Sequence, residues 1–306
     1  MTSRLRLAIA LPAVASIAAL ALTGCAAGTP DPAATGDEPI AVVASTDVWG
    51  DLAATIGGDE VSVTSIIDDP DRDPHEYEAD AQNQLALSKA AVVIENGGGY
   101  DDFVDTMLSA AGNPDAVVIN AVDVSGKEAA GGELNEHVWY DFPTVERVID
   151  RIEAAYAQLA PAAATTFQTN ADALKSQIDA LIQREADLKA TYAGDGVSIT
   201  EPVPLYLLDA IGLDNRTPEE FSEAIEADTD VAPAVLQATL ALYSGRQVRL
   251  LAYNEQTTGP QTEAVLDAAK SNGIPVVPVT ETLPSGKSYV TWMTDNLDAI
   301  AAALAQ

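Results

Sequence analysis

Residues 165–193 run "TTFQTNADALKSQIDALIQREADLKATYA" without a single Gly or Pro. Phe167, Leu174, Ile178, Leu181, Leu188 and Tyr192 recur at steps of three, four and seven, which places one apolar stripe along a helix. At roughly 1.5 Å per residue such a helix is ~40 Å long, enough to cross a whole small domain. Whatever flanks it must be organised around a rigid rod.

The flanks share one style. "IAVVAS" (40–45), "VSVTSIID" (61–68), "AAVVIE" (90–95) and "AVVINAV" (116–122) are short β-branched runs before the rod, and "VSIT" (197–200), "VRLLAYN" (248–254) and "IPVVPVT" (274–280) follow it. Each suits a strand buried on both faces of a parallel sheet. Helical spacing separates them in 47–58, 79–90, 100–112, "PTVERVIDRIEAAYAQLA", "TEAVLDAAKSNG" and "YVTWMTDNLDAIAAALA". Strand–helix alternation predicts an α/β fold with parallel sheets and right-handed crossovers. The expected architecture is two parallel-sheet lobes, 40–163 and 194–306, joined by one rigid helix over 164–193, with a cleft between the lobes. One continuous sheet with a long crossover helix is the alternative. A helical joint permits only small lobe movements.

Ahead of the body, "MTSRLR" precedes the apolar "LAIALPAVASIAALALTGC". A basic start followed by an apolar stretch with Pro12 and Gly24 predicts a secretory signal over 1–24 rather than a permanent membrane helix. Cys25 is the only cysteine, so it has no internal disulfide partner. Leu22-Thr23-Gly24-Cys25 resembles the bacterial lipobox, which implies lipid on Cys25, a membrane anchor without a span, and an extracytoplasmic body. The Ala/Gly/Pro-rich stretch 25–39 is a flexible tether.

With 15 Lys plus Arg against 47 Asp plus Glu, the surface repels phosphate backbones and draws in cations. Nucleic acid is therefore not an expected partner. In open α/β sheets ligands gather beyond the carboxyl ends of the strands. Both histidines of the chain stand in such loops: His75 in "DPDRDPHEYEAD" and His137 in "GGELNEHVWYD". Glu201 follows "VSIT" and Glu281 follows "VVPVT", each a carboxylate delivered at a strand end. Glu201, before a proline-started helix, equally suits a helix cap.

Two imidazoles and two carboxylates balance a divalent ion and offer four to six bonds. With no thiolate and only two histidines, the set leans toward manganese or ferrous iron, although zinc binds such groups tightly. Glu76, Glu136, Trp139 and Asp141 are candidate supporting groups. "NGGGY" (96–100) lacks the Lys-Ser/Thr of a phosphate loop and is expected to be a turn. Thr217 and Glu220 have capping-box spacing, and "QTTGPQ" (256–261) is expected at the cleft mouth.

"DPHEYE", "NEHVWYD", "TEPVPLYLLDAIGL" and "TETLPSGKSYVTWMTDNL" together resemble the solute-binding lipoproteins of bacterial zinc/manganese ABC transporters, the helical-backbone metal receptors. By that resemblance His75, His137 and Glu201 match three metal ligands, and Glu281 stands where many members have aspartate. The zinc branch often carries a third histidine and a His-rich loop; "SGKEAAGGELNEH" has neither, which tilts the expectation to manganese with zinc second. The resemblance implies a monomeric, non-enzymatic receptor that closes slightly on its ion and delivers it to an ABC permease. A lipid-anchored metallohydrolase and a metal-independent adhesin are the alternatives; "HEYEA" is not the HExxH of a zinc protease.

Overall fold

The computed structural model describes residues 38–69, 77, 80–129 and 134–306. The expected signal segment, Cys25, most of the tether, His75 and Glu76 lie outside the described residues.

The chain alternates strands and helices in two matching halves. Before the rod come β1 (Ile40–Thr46), α1 (Asp47–Gly57), β2 (Val61–Ile67), α2 (Ala81–Leu87), β3 (Val92–Glu95), α3 (Phe103–Ala111), β4 (Val117–Asn120), α4 (Ala121–Ser125) and α5 (Phe142–Leu159). The rod is α6 (Ala164–Tyr192). After it come β5 (Gly196–Ile199), α7 (Leu205–Ile211), β6 (Asp214–Asn215), α8 (Glu219–Glu226), α9 (Pro233–Ser244), β7 (Leu251–Asn254), α10 (Pro260–Ser271), β8 (Val276–Val279) and α11 (Tyr289–Leu304).

Each half closes its own four-stranded parallel sheet, in the orders β2-β1-β3-β4 and β6-β5-β7-β8. The strand order is thus the same in both, with the first strand inside and the second at one edge. Register is set by the apolar runs: Val42 pairs with Val63 and Val92, and Tyr253 with Pro278. Two separate sheets exclude the single continuous sheet.

The rod buries Phe167, Ala171, Leu174, Ile178, Leu181, Glu185 and Leu188. These belong to one apolar core that also takes Trp49, Ile149 and Tyr156 from the first half and Leu208, Trp292 and Ile300 from the second. A core continuous through the rod leaves no soft hinge, because sliding one lobe would open voids on both sides of α6. A second tie runs from α1 to the start of α11. Asp47 Oδ1 accepts from Leu283 N at 3.1 Å, and Asp51 Oδ2 accepts from Tyr289 N at 2.8 Å. Asp51 therefore satisfies a backbone N–H in the first turn of a helix in the other lobe, as a cap would.

Two local readings resolve differently. "NGGGY" is a turn: Asp101 accepts from the backbone N–H groups of Asn96 and Gly97 at 2.6 and 2.7 Å. Gly97 has φ +78°, and a Cβ there would fall 2.2 Å from the Asn120 amide, so only glycine serves. Thr217 and Glu220 do not form the expected capping box. Thr217 Oγ1 takes the hydrogen bond of Ile199 N at 2.9 Å and returns one to Ile199 O at 3.3 Å. Its hydroxyl continues the sheet edge where the two-residue β6 ends, and Pro218 precedes α8 with no side-chain cap.

Candidate metal centre

His137 follows the loop after α4 and is completely buried, at 0% exposure. Its ring is enclosed by aromatic neighbours, Trp139 at 5.1 Å and Tyr100 at 6.0 Å between centroids. Asn135 fixes its chemistry. Asn135 Oδ1 accepts from His137 N at 3.1 Å, and Asn135 Nδ2 donates to Pro202 O at 3.1 Å. The amide orientation is thereby settled, so the 2.8 Å contact from Oδ1 to His137 Nδ1 requires a proton on Nδ1. In the neutral ring the lone pair then sits on Nε2, the atom that faces the acids.

Glu281 is presented one residue past Thr280, beyond the end of β8, and is 1% exposed. Asn254, the last residue of β7, donates from Nδ2 to Glu281 Oε1 at 2.8 Å. Gln256 Oε1 accepts from Glu281 N, and Gln256 Nε2 donates to Thr282 Oγ1 at 2.8 Å. With Oε1 tied, Oε2 lies 3.9 Å from His137 Nε2. The "QTTGPQ" loop thus supports the carboxylate directly, a closer role than a place at the cleft mouth. Burial, followed by the nearby Glu281 carboxylate, pushes the Tyr100 phenol well above its usual range.

Glu201 lies beyond β5, is 3% exposed, and precedes Pro202, whose carbonyl Asn135 holds. Tyr206 adds a second clamp, its hydroxyl donating to Asn135 O at 2.6 Å. The loop of Glu201 is therefore fastened to the loop of His137. Tyr140, three residues after His137, donates to Thr280 O at 2.9 Å. The strand ends carrying Glu201 and Glu281 are both tied to the same short segment of the first lobe.

Trp139 packs on His137, and Glu136 offers a ligand atom within 4.8 Å of a His137 ring nitrogen. Asp141 is elsewhere employed, accepting from Thr144 N at 3.1 Å as the N-cap of α5 and facing Lys127 at 3.2 Å.

One acid was not anticipated from the sequence. Glu226, the last residue of α8, places Oε1 3.5 Å from His137 Nε2. Among the described residues, Glu136, His137 and Glu226 offer ligand atoms all within 4.8 Å of one another. An imidazole nitrogen with carboxylate oxygens at these distances is a donor set suited to a divalent first-row ion. Glu136, Glu219, Glu223 and Glu226 line a cleft of about 590 Å³ that opens beside it.

A two-lobed α/β body that brings the buried His137 within 3.9 Å of the Glu226 and Glu281 carboxylates has the donor set of a cation-binding protein. A family model described as "Zinc-uptake complex component A periplasmic" (ZnuA) matches residues 42–303, and the chain belongs to that family. It is 24% identical over 309 residues to the manganese-binding lipoprotein MntA of Halalkalibacterium halodurans, covering 96% of this chain and 97% of that one. It is 22% identical over 308 residues to the manganese ABC transporter substrate-binding lipoprotein PsaA of Streptococcus pneumoniae, covering 95% and 96%. Among solved structures, the periplasmic zinc-binding protein TroA of Treponema pallidum superposes with TM-score 0.72 at 20% identity, over 88% of this chain and all 100% of that one. FpvC of Pseudomonas aeruginosa, solved in complex with Mn2+, gives TM-score 0.73 at 20% identity, over 88% and 99%. These likenesses establish the fold.

Proposed function

We propose that the protein is an extracytoplasmic receptor for a divalent transition metal, manganese first and zinc second, that hands its ion to an ABC permease. The observation that carries this reading is the buried His137, with Nε2 lying 3.9 Å from the tethered Glu281 carboxylate across the two lobes. The ligand set is His137, Glu201 and Glu281 together with His75. Ferrous iron fits the same donors. Relatives named for manganese binding support the first choice of ion, and their names also support the lipid anchor at Cys25. No described helix is long and apolar enough to cross a membrane. The receptor is a monomer that meets its permease through both lobes.

The test uses the metal-stripped protein and its thermal unfolding with manganese, zinc, ferrous iron and calcium, beside His75→Ala and His137→Ala. A ligand that binds only the folded state stabilises by ~2.7 kcal/mol at a hundredfold excess over its dissociation constant. The midpoint is expected to rise with manganese and zinc and to stay put in both variants. No rise with any transition metal would end the receptor reading. The metallohydrolase alternative separates by turnover, since a receptor releases its ion and consumes nothing.

A further inference from the structure

Resting on the receptor reading above, we propose that Glu226 is a direct ligand of the transported cation, an additional carboxylate contributed by a helix rather than by a strand end.

Three observations converge on it. The first is distance. Two donor atoms bound to one ion at about 2.1 Å each sit no more than ~4.2 Å apart. Glu226 Oε1 stands 3.5 Å from His137 Nε2, inside that limit and nearer than the 3.9 Å of Glu281 Oε2. The lone pair that Asn135 directs onto Nε2 therefore faces both acids at once.

The second is the helix that carries it. Glu226 ends α8, whose last turn contains no basic residue. The C-terminal end of a helix bears partial negative charge, so a carboxylate there is unfavourable by ~0.3–1 kcal/mol. The Glu226 side chain is only 16% exposed, so water relieves little of that cost. A cation shared with His137 removes it.

The third is access. Glu219, Glu223 and Glu226 recur at steps of four and three on one face of α8 and line the 590 Å³ cleft with Glu136. An ion moving down that face of α8 meets Glu226 last, within ligand distance of His137 and Glu136.

A further carboxylate also changes which ion the centre prefers. Zinc is satisfied by four donors in a tetrahedron, whereas manganese accepts more oxygen donors in a larger shell. Glu226 is thus a specificity residue: it adds to manganese affinity more than to zinc affinity.

The experiment measures manganese and zinc dissociation constants by competition with a chelating fluorophore at low and high salt. It compares wild type, Glu226→Gln and His137→Ala, with the electron paramagnetic resonance spectrum of bound Mn2+ as a second readout. Glu226→Gln keeps the size of the side chain, and its metal-free unfolding midpoint shows whether the fold is intact. Expected is a loss of about 100-fold for manganese and at most about 10-fold for zinc, persisting at high salt, with an altered Mn2+ spectrum. Wild-type affinities in Glu226→Gln, or a loss that salt abolishes, would overturn ligation, the latter by showing only a diffuse field. Equal losses for both ions with an altered spectrum would keep ligation and overturn the manganese bias. If His137→Ala also bound normally, the receptor reading itself would fail; if only His137→Ala lost metal, this inference alone would.

Discussion

Asn135 is where one side chain governs the most chemistry. It selects the His137 tautomer, and it holds Pro202 beside Glu201. Asn135→Ala removes both. The expected result is a fall in metal affinity of 10- to 100-fold, roughly the effect of deleting a group that orients a ligand, with about 1 kcal/mol of stability lost for the broken hydrogen bonds. Asn135→Asp keeps an oxygen opposite Nδ1 and is expected to retain most of the affinity, so titration of the pair separates orientation from mere packing. The sequence offers Glu201 and Glu281 as ligand candidates because an acid just past a strand is local information, and His137 because a histidine in an acid-flanked loop is too. It did not single out Asn135, because an asparagine two residues before a histidine looks like any loop residue until Pro202 comes near. Glu226 was missed for a related reason. It ends an ordinary amphipathic helix, and nothing in single-chain spacing brings that helix end to a loop of the other lobe.

At the scale of elements, most strands were legible because both faces of a parallel sheet are buried and the runs are continuously apolar. β6 was not, since Asp214–Asn215 pair with β5 through backbone alone and Thr217 finishes the edge with its hydroxyl. The apolar run 248–254 overstates β7, which pairs only over Leu251–Asn254; Val248 and Leu250 are buried all the same. The rod α6 matched its stripe, but the stripe's own period passes through Glu185, which is buried within it. Burial first, then repulsion from Asp141, pushes the Glu185 carboxyl up to about 8. An acid raised on folding stabilises the folded state below its unfolded pKa, and that contribution is lost as pH rises toward the folded value. Glu185→Gln removes the titration while keeping the shape. The variant is expected to match wild type near pH ~4.5 and to be more stable by about 1–3 kcal/mol at neutral pH. Denaturant unfolding of both proteins at several pH values checks this, and parallel curves would refute it.

For the whole molecule the same sign recurs, and metal opposes it. Burial raises Asp47 to about 6 against the help of the Leu283 N–H, and raises Glu95 to about 7 against the help of Asn120. With Glu185 at about 8, three acids bind protons more tightly when folded. Stability from all three is fully present below about pH 4, near their unfolded values, and is lost progressively up to about pH 8. The formal net charge of −32 works in the same direction, because self-repulsion grows as the carboxylates ionise. The metal-free protein should therefore unfold at a higher temperature at pH ~5.5 than at pH ~8, by a few degrees for each kcal/mol. Metal binding requires a neutral His137 and ionised carboxylates, so its contribution must shrink in the same interval on acidification. The two melting curves are expected to converge toward acid, from a wide metal-induced gap at pH ~8 to a narrow one at pH ~5.5. Asp51 and Asp47 tie the lobes together independently of metal, so the convergence point should be a folded, two-lobed, metal-poor protein. Calorimetry with and without manganese across that range measures both limbs at once. A gap that stayed constant with pH would mean that the bound ion is not held by titrating side chains, and the coordination proposed for His137, Glu281 and Glu226 would have to be abandoned.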